Sequence, residues 1–101
     1  MHKITAYVPE SHLEIVKNAL FDAGAGRFKN YDRCCWQTKG QGQFRALSGS
    51  APYIGKANEV TVVEESLIEL VCDDACLEAA LDALRKAHPY EEPAYAAWKI
   101  L

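Results

Sequence analysis

The segment Val60–Cys72 is the longest run of strand-forming residues in the chain, and it limits the fold more than any other feature. Its first four residues, Val-Thr-Val-Val, disfavour a helix because β-branched side chains lose rotamer freedom there. Its length of 13 residues exceeds the usual five or six of a strand. Residues 64–66 interrupt the apolar pattern, which predicts a bulge or bend. We expect one domain, residues 1–101, built around this strand.

The segment before this strand begins with a strand followed by a helix. Lys3–Val8 alternates apolar and polar residues, as half-buried strands do. Ser11 and Glu14 have the spacing of a capping box, which predicts a helix start. The apolar face of that helix comprises Leu13, Val16, Leu20 and Ala23. Gly24 and Gly26 predict the end of the helix.

The middle of the chain predicts a hairpin and a long loop. Tyr31–Thr38 resembles a strand with Trp36 as its large apolar residue. Gly40-Gln41-Gly42 is a turn signal, and Gln43–Leu47 resumes an extended pattern. Glycine and proline residues then indicate a loop over Ser48–Asn58.

The end of the chain predicts a second helix and a last strand. Asp73 or Asp74 is expected to cap the helix. Its apolar stripe comprises Leu77, Ala80, Leu81 and Leu84. Pro89 ends the helix, and Ala94–Leu101 reads as the closing strand. Counting the middle hairpin as an elaboration gives the order βαββαβ, an α+β, ferredoxin-like sandwich with an extra hairpin.

The charge and the apolar segments of the chain exclude several classes of partner. The formal net charge is −3, so no broad positive field favours nucleic acid or an anionic membrane. No apolar run approaches the ~20 residues that a helix needs to cross a membrane. The first residues, Met1–Ala6, contain no apolar signal core. We therefore expect a cytoplasmic protein that binds neither nucleic acid nor membrane.

The four cysteines do not form a recognisable metal or disulfide pattern. Cys34 and Cys35 are adjacent, whereas Cys72 and Cys76 are four positions apart. Neither pair has the C-x2-C spacing of zinc sites, and a disulfide framework requires an export signal. We predict reduced, packed thiols, no metal site and no cofactor. A thiolate at the start of the second helix, with a redox role, is the alternative.

The segment His88–Tyr95, with the sequence HPYEEPAY, predicts a rigid polar corner. Pro89 and Pro93 fix the backbone and remove two hydrogen-bond donors. An imidazole, a phenol and two carboxylates lie between or beside them. The candidate ligand-binding residues are His88, Tyr90, Glu91 and Glu92, together with Arg45 from the predicted hairpin. The alternative, which we favour for the corner itself, is a structural turn with solvated acids.

Two of these features together indicate a family. The βαββαβ order and the His-Pro-Tyr-Glu corner resemble the CutA family of small trimeric proteins. The middle of the chain, Gly40-Gln41-Gly42-Gln43-Phe44-Arg45 followed by Pro52, Gly55 and Glu64, is similar to the CutA-like insert domain of the YqfO proteins, the family of NGG-interacting factors. In those proteins the domain interrupts a metal-binding core. The resemblance does not extend to that metal site, because the three histidines of this chain are not at ligand spacing.

The predicted function is binding or regulation by a small homo-oligomer, with a metal ion, a small anion or a partner protein at its subunit clefts. The long strand exposes an edge that invites pairing with another copy. The resemblance favours a trimer, although the residues alone also allow a dimer. One alternative is a hydrolase-like enzyme with His88 as general acid–base beside Glu91 or Glu92. Another is a bare assembly module without a ligand.

Overall fold

The computed structural model describes all 101 residues and contains four strands and two helices in βαββαβ order. The elements are β1 His2–Pro9, α1 Leu13–Asp22, β2 Trp36–Arg45, β3 Val60–Cys72, α2 Leu77–Ala87 and β4 Tyr95–Lys99. A short 3-10 turn precedes each helix, at Glu10–His12 and Asp74–Cys76. The α+β, ferredoxin-like architecture is therefore confirmed. Neither helix is long and apolar enough to cross a membrane.

The four strands form one antiparallel sheet in the order β2-β3-β1-β4. Residues 65–72 of β3 pair with β1 on one side, and residues 60–69 pair with β2 on the other. Residues 60–64 therefore have a partner on one side only, and β2 and β3 project beyond β1 as a two-stranded ribbon. The predicted bulge at residues 64–66 is wrong, because the pairing with β2 runs through these residues without a break and the pairing with β1 continues regularly to Glu65. Adjacent carboxylates in a strand point to opposite faces and do not need to interrupt the pairing.

The predicted extra hairpin is also wrong, because residues 36–45 form the single strand β2. Gly40 and Gly42 lie within this strand and are opposite Glu65 and Val63 of β3. Neither glycine has a positive φ angle, so neither turns the chain. The neighbouring strand β3 places a pairing partner opposite every residue of β2, and this pairing overrides the local turn signal.

The predicted capping box at Ser11 and Glu14 does not form. Residues 10–12 wind into the 3-10 turn, so Ser11 is not at the extended position that a capping residue occupies. The Ser11 hydroxyl instead lies 2.8 Å from Nδ1 of His12. No side chain caps α1.

The second helix likewise starts without the predicted aspartate cap. The Asp73 side chain makes no capping hydrogen bond, and only its carbonyl accepts the amide of Cys76. Asp74 instead links the start of β1 to the end of β4. Its carboxylate lies 2.7 Å from the Lys99 ammonium, from the N-terminal ammonium and from the His2 ring. These hydrogen bonds lower the pKa of the Asp74 carboxyl.

The hydrophobic core lies between one face of the sheet and the two helices. Its buried side chains include Ile4, Ala6, Val8, Leu13, Val16, Leu20, Ile68, Leu70, Cys72, Ala80 and Leu84. The strand alternation of β1 and the apolar stripes of both helices are thereby confirmed. The first helix ends as predicted, with Gly24 at a φ of 103° and its amide donating to the Phe21 carbonyl.

All four cysteines are free. Cys72 belongs to the core, and its burial raises the pKa of the thiol to about 11. The alternative of a stabilised thiolate at the start of α2 is therefore wrong for Cys72, because desolvation outweighs any favourable effect of the helix end. Cys35 is half-buried, and burial also raises the pKa of its thiol.

The packing of α1 predicts different costs for two apolar side chains on the same helix. Leu20 is fully buried, whereas Ile15 is 55% exposed. We expect Leu20→Ala to lower the free energy of unfolding by about 2–5 kcal/mol, because it leaves a cavity in the core. Ile15→Ala should change it by less than about 0.5 kcal/mol. Urea unfolding of both variants measures this contrast, and equal losses would contradict the packing described.

Candidate functional site

An open cavity of about 570 Å³ lies where the β2–β3 ribbon, the connection 46–59 and the corner 88–94 meet. Small-molecule sites in proteins have volumes in this range. The lining side chains that carry a ring or a charge are Tyr7, Phe44, Arg45, Tyr53, Glu65, Tyr90, Glu91 and Glu92. The cavity thus combines aromatic walls with several ionisable groups.

The structure brings four of the five candidate residues to this cavity. Arg45, Tyr90, Glu91 and Glu92 line it, whereas His88 does not. The sequence did not point to the remaining ring and charged groups, which are Tyr7, Phe44, Tyr53 and Glu65. The alternating pattern of β3 carried one signal for Glu65, since it places this carboxylate on the sheet face opposite the core.

His88 is a buried structural residue that fixes the corner behind the cavity. Its side chain is almost inaccessible, and its Nδ1 atom accepts the amide of Tyr90 at 3.2 Å. Nε2 must therefore carry the proton, which it donates to the carbonyl of Tyr7 at 2.7 Å. Burial lowers the pKa of His88, although the bond to the carbonyl partly opposes this shift. Both ring nitrogens are occupied, so His88 has none free for a substrate.

Tyr90 connects the corner to the ribbon. Its hydroxyl donates to Oε2 of Glu65 at 2.9 Å, and its ring centroid lies 4.8 Å from that of His88. Burial, and then the hydrogen bond to the carboxylate, raise the pKa of Tyr90 well above its usual value. The phenol therefore stays protonated at neutral pH and holds the Glu65 carboxylate in the cavity wall.

Gly42 makes room for this carboxylate. A Cβ atom at position 42 would overlap the carboxylate of Glu65, whereas a Cβ atom at position 40 would meet no atom within 4 Å. The two glycines of the Gly40-Gln41-Gly42 segment therefore differ in importance, and neither forms a turn. Only Gly42 is required by the geometry of the cavity.

The connection between β2 and β3 is anchored to the corner. The amide of Ala51 donates to Oε2 of Glu91 at 3.0 Å. The ring centroid of Tyr53 lies 6.3 Å from that of Tyr90. It lies 5.8 Å from the ring centroid of His12, with which Tyr53 makes an edge-to-face contact. These contacts hold the connection over the ribbon and close one side of the cavity.

The arrangement suits the binding of an organic molecule better than metal binding or acid–base chemistry. No group of three or more His, Cys, Asp or Glu side chains is placed to hold a metal ion. Aromatic rings can enclose an apolar or cationic ligand, and the carboxylates can accept its hydrogen bonds.

The buried neutral His88 makes stability depend on pH. Its folded pKa lies below the 6.5 of an unfolded histidine, so the unfolded chain binds the proton first as the pH falls. The contribution of His88 is fully present above the unfolded pKa and is lost as the pH falls through the folded pKa. We expect the free energy of unfolding, measured with urea, to decrease between about pH 7 and about pH 5.

Two variants assign this decrease to His88. His88→Gln keeps an N–H donor for the Tyr7 carbonyl but does not titrate, so the decrease should become smaller. His12→Gln, which changes a ring bonded to the Ser11 hydroxyl, should retain it. A decrease in His88→Gln equal to that of the unchanged protein would contradict this assignment.

Proteins with similar sequences match nearly the whole chain. A GTP cyclohydrolase 1 type 2 homolog of Mycobacterium tuberculosis is 42% identical over 95 residues, which are 94% of this chain and 25% of that protein. The protein of the same name from Bacillus subtilis is 39% identical over 95 residues, which are 94% of this chain and 26% of that protein. The chain thus spans about a quarter of the length of these relatives. No family model matches it.

Solved structures with the same fold are of two kinds. A Bacillus cereus protein related to NIF3 has a TM-score of 0.82 and 35% identity, covering 96% of this chain and 24% of its own. The PII-like protein CutA from Nostoc has a TM-score of 0.69 and 15% identity, and the match covers 99% of this chain and 81% of the Nostoc chain. The periplasmic divalent cation tolerance protein CutA from Archaeoglobus fulgidus has a TM-score of 0.68 and 16% identity, and the match covers 99% of this chain and 84% of the Archaeoglobus chain. The two CutA proteins thus share the fold over somewhat more than four fifths of their length.

Proposed function

This chain is a CutA-like domain related to one segment of the NIF3/YqfO proteins, and on that premise we propose that it is a small homo-oligomeric binding or regulatory module. The observation that carries the proposal is the cavity of about 570 Å³, with aromatic walls and a carboxylate held in place by a tyrosine. A group fixed before a ligand arrives loses little conformational freedom on binding. The proposed function is therefore the reversible binding of a small molecule.

The hydrolase-like alternative has less support from the geometry. It assigned acid–base chemistry to His88 with Glu91 or Glu92, but His88 is buried behind the cavity and both of its ring nitrogens are occupied. A general base must reach the proton that it removes. Binding requires no such group.

Assembly is supported by the face of the sheet that carries no helices. Side chains that alternate with the core residues point to this face, and its apolar members include Tyr7, Trp36, Leu67, Val71 and Trp98. Trp36 is 58% exposed, and Tyr7 and Trp98 are each 47% exposed. An apolar surface of this kind is typical of protein contacts. A second copy of the chain is the occupant we propose, and the CutA resemblance favours a closed trimer over a dimer.

The ribbon gives a second reason for assembly. Residues 60–64 have no strand on the β1 side, and Val60 and Val62 are more than half exposed. Such an edge pairs readily with another chain, and cyclic closure satisfies every copy. For the location, we propose the cytoplasm, because four free cysteines suit a reducing compartment.

Analytical ultracentrifugation tests the assembly. We expect the unchanged protein to sediment as an oligomer at micromolar concentration, and Val62→Lys to shift it towards monomer by placing a charge on the ribbon. Ile15→Lys is the matched control, because Ile15 on α1 is 55% exposed and Val62 is 58% exposed. A monomeric unchanged protein would refute the assembly. A dimer would refute only the trimer.

Thermal unfolding in the presence of ligands tests the binding function. A ligand that binds the folded state raises the melting temperature. We expect at least one of three classes, divalent metal ions, inorganic phosphate or small organic amines, to stabilise the protein. Gly42→Ala should abolish the shift, because its Cβ displaces the carboxylate of Glu65, while Gly40→Ala should retain it. The displaced group is the end of a flexible side chain, so both variants should fold.

The outcomes separate the proposed function from its alternatives. Absence of stabilisation by all three classes would leave a bare assembly module. A shift that survives in Gly42→Ala would place the ligand elsewhere on the protein.

A further inference from the structure

We infer that the ligand of this cavity is an organic cation, an amine or a guanidinium, with the Glu65 carboxylate as its counter-ion. The inference rests on the proposed binding function and specifies its ligand class. It follows from the charge of the cavity, from a carboxylate oxygen without a protein donor, and from the arrangement of the aromatic rings.

The charged groups around the cavity favour a cation. Three carboxylates line it, those of Glu65, Glu91 and Glu92, against the single guanidinium of Arg45. The carboxylate of Glu91 accepts the amide of Ala51 and thereby anchors the connection. No protein group donates a hydrogen bond to the carboxylate of Glu92. The balance of charge therefore disfavours phosphate and other small anions.

Glu65 supplies the oxygen that contacts the ligand. Its Oε2 atom accepts the hydroxyl proton of Tyr90 at 2.9 Å, which fixes the orientation of the carboxylate. Its Oε1 atom accepts no hydrogen bond from the protein and lies against Gly42, another residue of the cavity lining. A positioned carboxylate oxygen with a free lone pair is a strong acceptor for an N–H donor with positive charge.

The aromatic walls suit the same class of ligand. Tyr7, Phe44, Tyr53 and Tyr90 line the cavity. The faces of aromatic rings attract cations, and the attraction is stronger where water is excluded. A divalent metal ion would need several oxygen ligands converging on one point, which the cavity does not offer. An organic cation spreads its charge over a larger volume and can use rings and one carboxylate together.

Isothermal titration calorimetry with two cationic probes and one anionic probe tests the inference. Agmatine carries an ammonium and a guanidinium, tetramethylammonium is a cation without N–H donors, and inorganic phosphate is the anion. We expect agmatine to bind, tetramethylammonium to bind more weakly because it cannot donate to Oε1, and phosphate not to bind.

Two variants of neighbouring residues locate the site. Glu65→Gln removes the charge but keeps the size of the side chain, and it should weaken agmatine binding by about tenfold or more. Glu64→Gln makes the same change on the preceding residue of β3, which is exposed and points to the opposite face of the sheet. This variant should leave the affinity unchanged. Tyr90→Phe keeps the ring but releases Oε2, and it should also weaken binding. Melting curves of each variant establish that it is folded.

Each result supports or overturns the inference. Equal weakening by Glu65→Gln and Glu64→Gln would overturn it, because the effect would then be a general one of net charge. Binding of phosphate but not of agmatine would overturn it while leaving the proposed binding function intact. If no probe binds, the inference fails; the proposed function fails only if the metal ions also give no thermal shift.

Discussion

The unequal pairing of β3 with its two neighbours determines where the cavity and the two-stranded ribbon lie. Residues 65–69 have a strand on both sides, whereas residues 60–64 pair with β2 only and residues 70–72 pair with β1 only. The change occurs at Glu65, whose partner on β1 is Pro9, the last residue of that strand. Beyond this point β1 leaves the sheet and the ribbon continues alone. The cavity forms where the sheet narrows from β1 and its neighbours to the ribbon alone. Glu65, the residue at this position, contributes a carboxylate to the cavity wall.

A short series of hydrogen bonds connects the corner to the end of β1 and to Glu65 of β3. The ring of His88 donates to the carbonyl of Tyr7 and accepts the amide of Tyr90, while the hydroxyl of Tyr90 donates to Glu65. Each of these polar groups has its hydrogen-bond partner within the series. A shift of the corner would therefore leave a buried polar group without a partner. The two prolines add rigidity by restricting the backbone. The corner is thus both a structural turn and the support of the cavity.

The sequence predicted the elements that depend on local periodicity and failed where distant pairing decides. The core faces of β1, α1 and α2 were predicted because each repeats its apolar residues at the spacing of its own element. The turn at Gly40-Gln41-Gly42 was wrong because β3 provides partners across the sheet. Gly42 and Glu65 meet across 23 positions of sequence, and no local pattern indicates such a contact. The burial of His88 could not be predicted either, since it depends on the approach of β1, some 81 positions earlier in the chain.

The cavity and the uncovered sheet face share residues, and this sharing has a thermodynamic consequence. Tyr7 lines the cavity and also lies on the face without helices, where it is 47% exposed. A partner copy that covered this face, as proposed, would contact the wall of the cavity as well. If the chain assembles through this face and binds a ligand in this cavity, as proposed, a ligand that orders Tyr7 would change the free energy of assembly, and assembly would change the affinity for the ligand by the same factor. The shared wall would then couple the binding of a small ligand to the state of the oligomer. Such a coupling is what the proposed regulatory module would require.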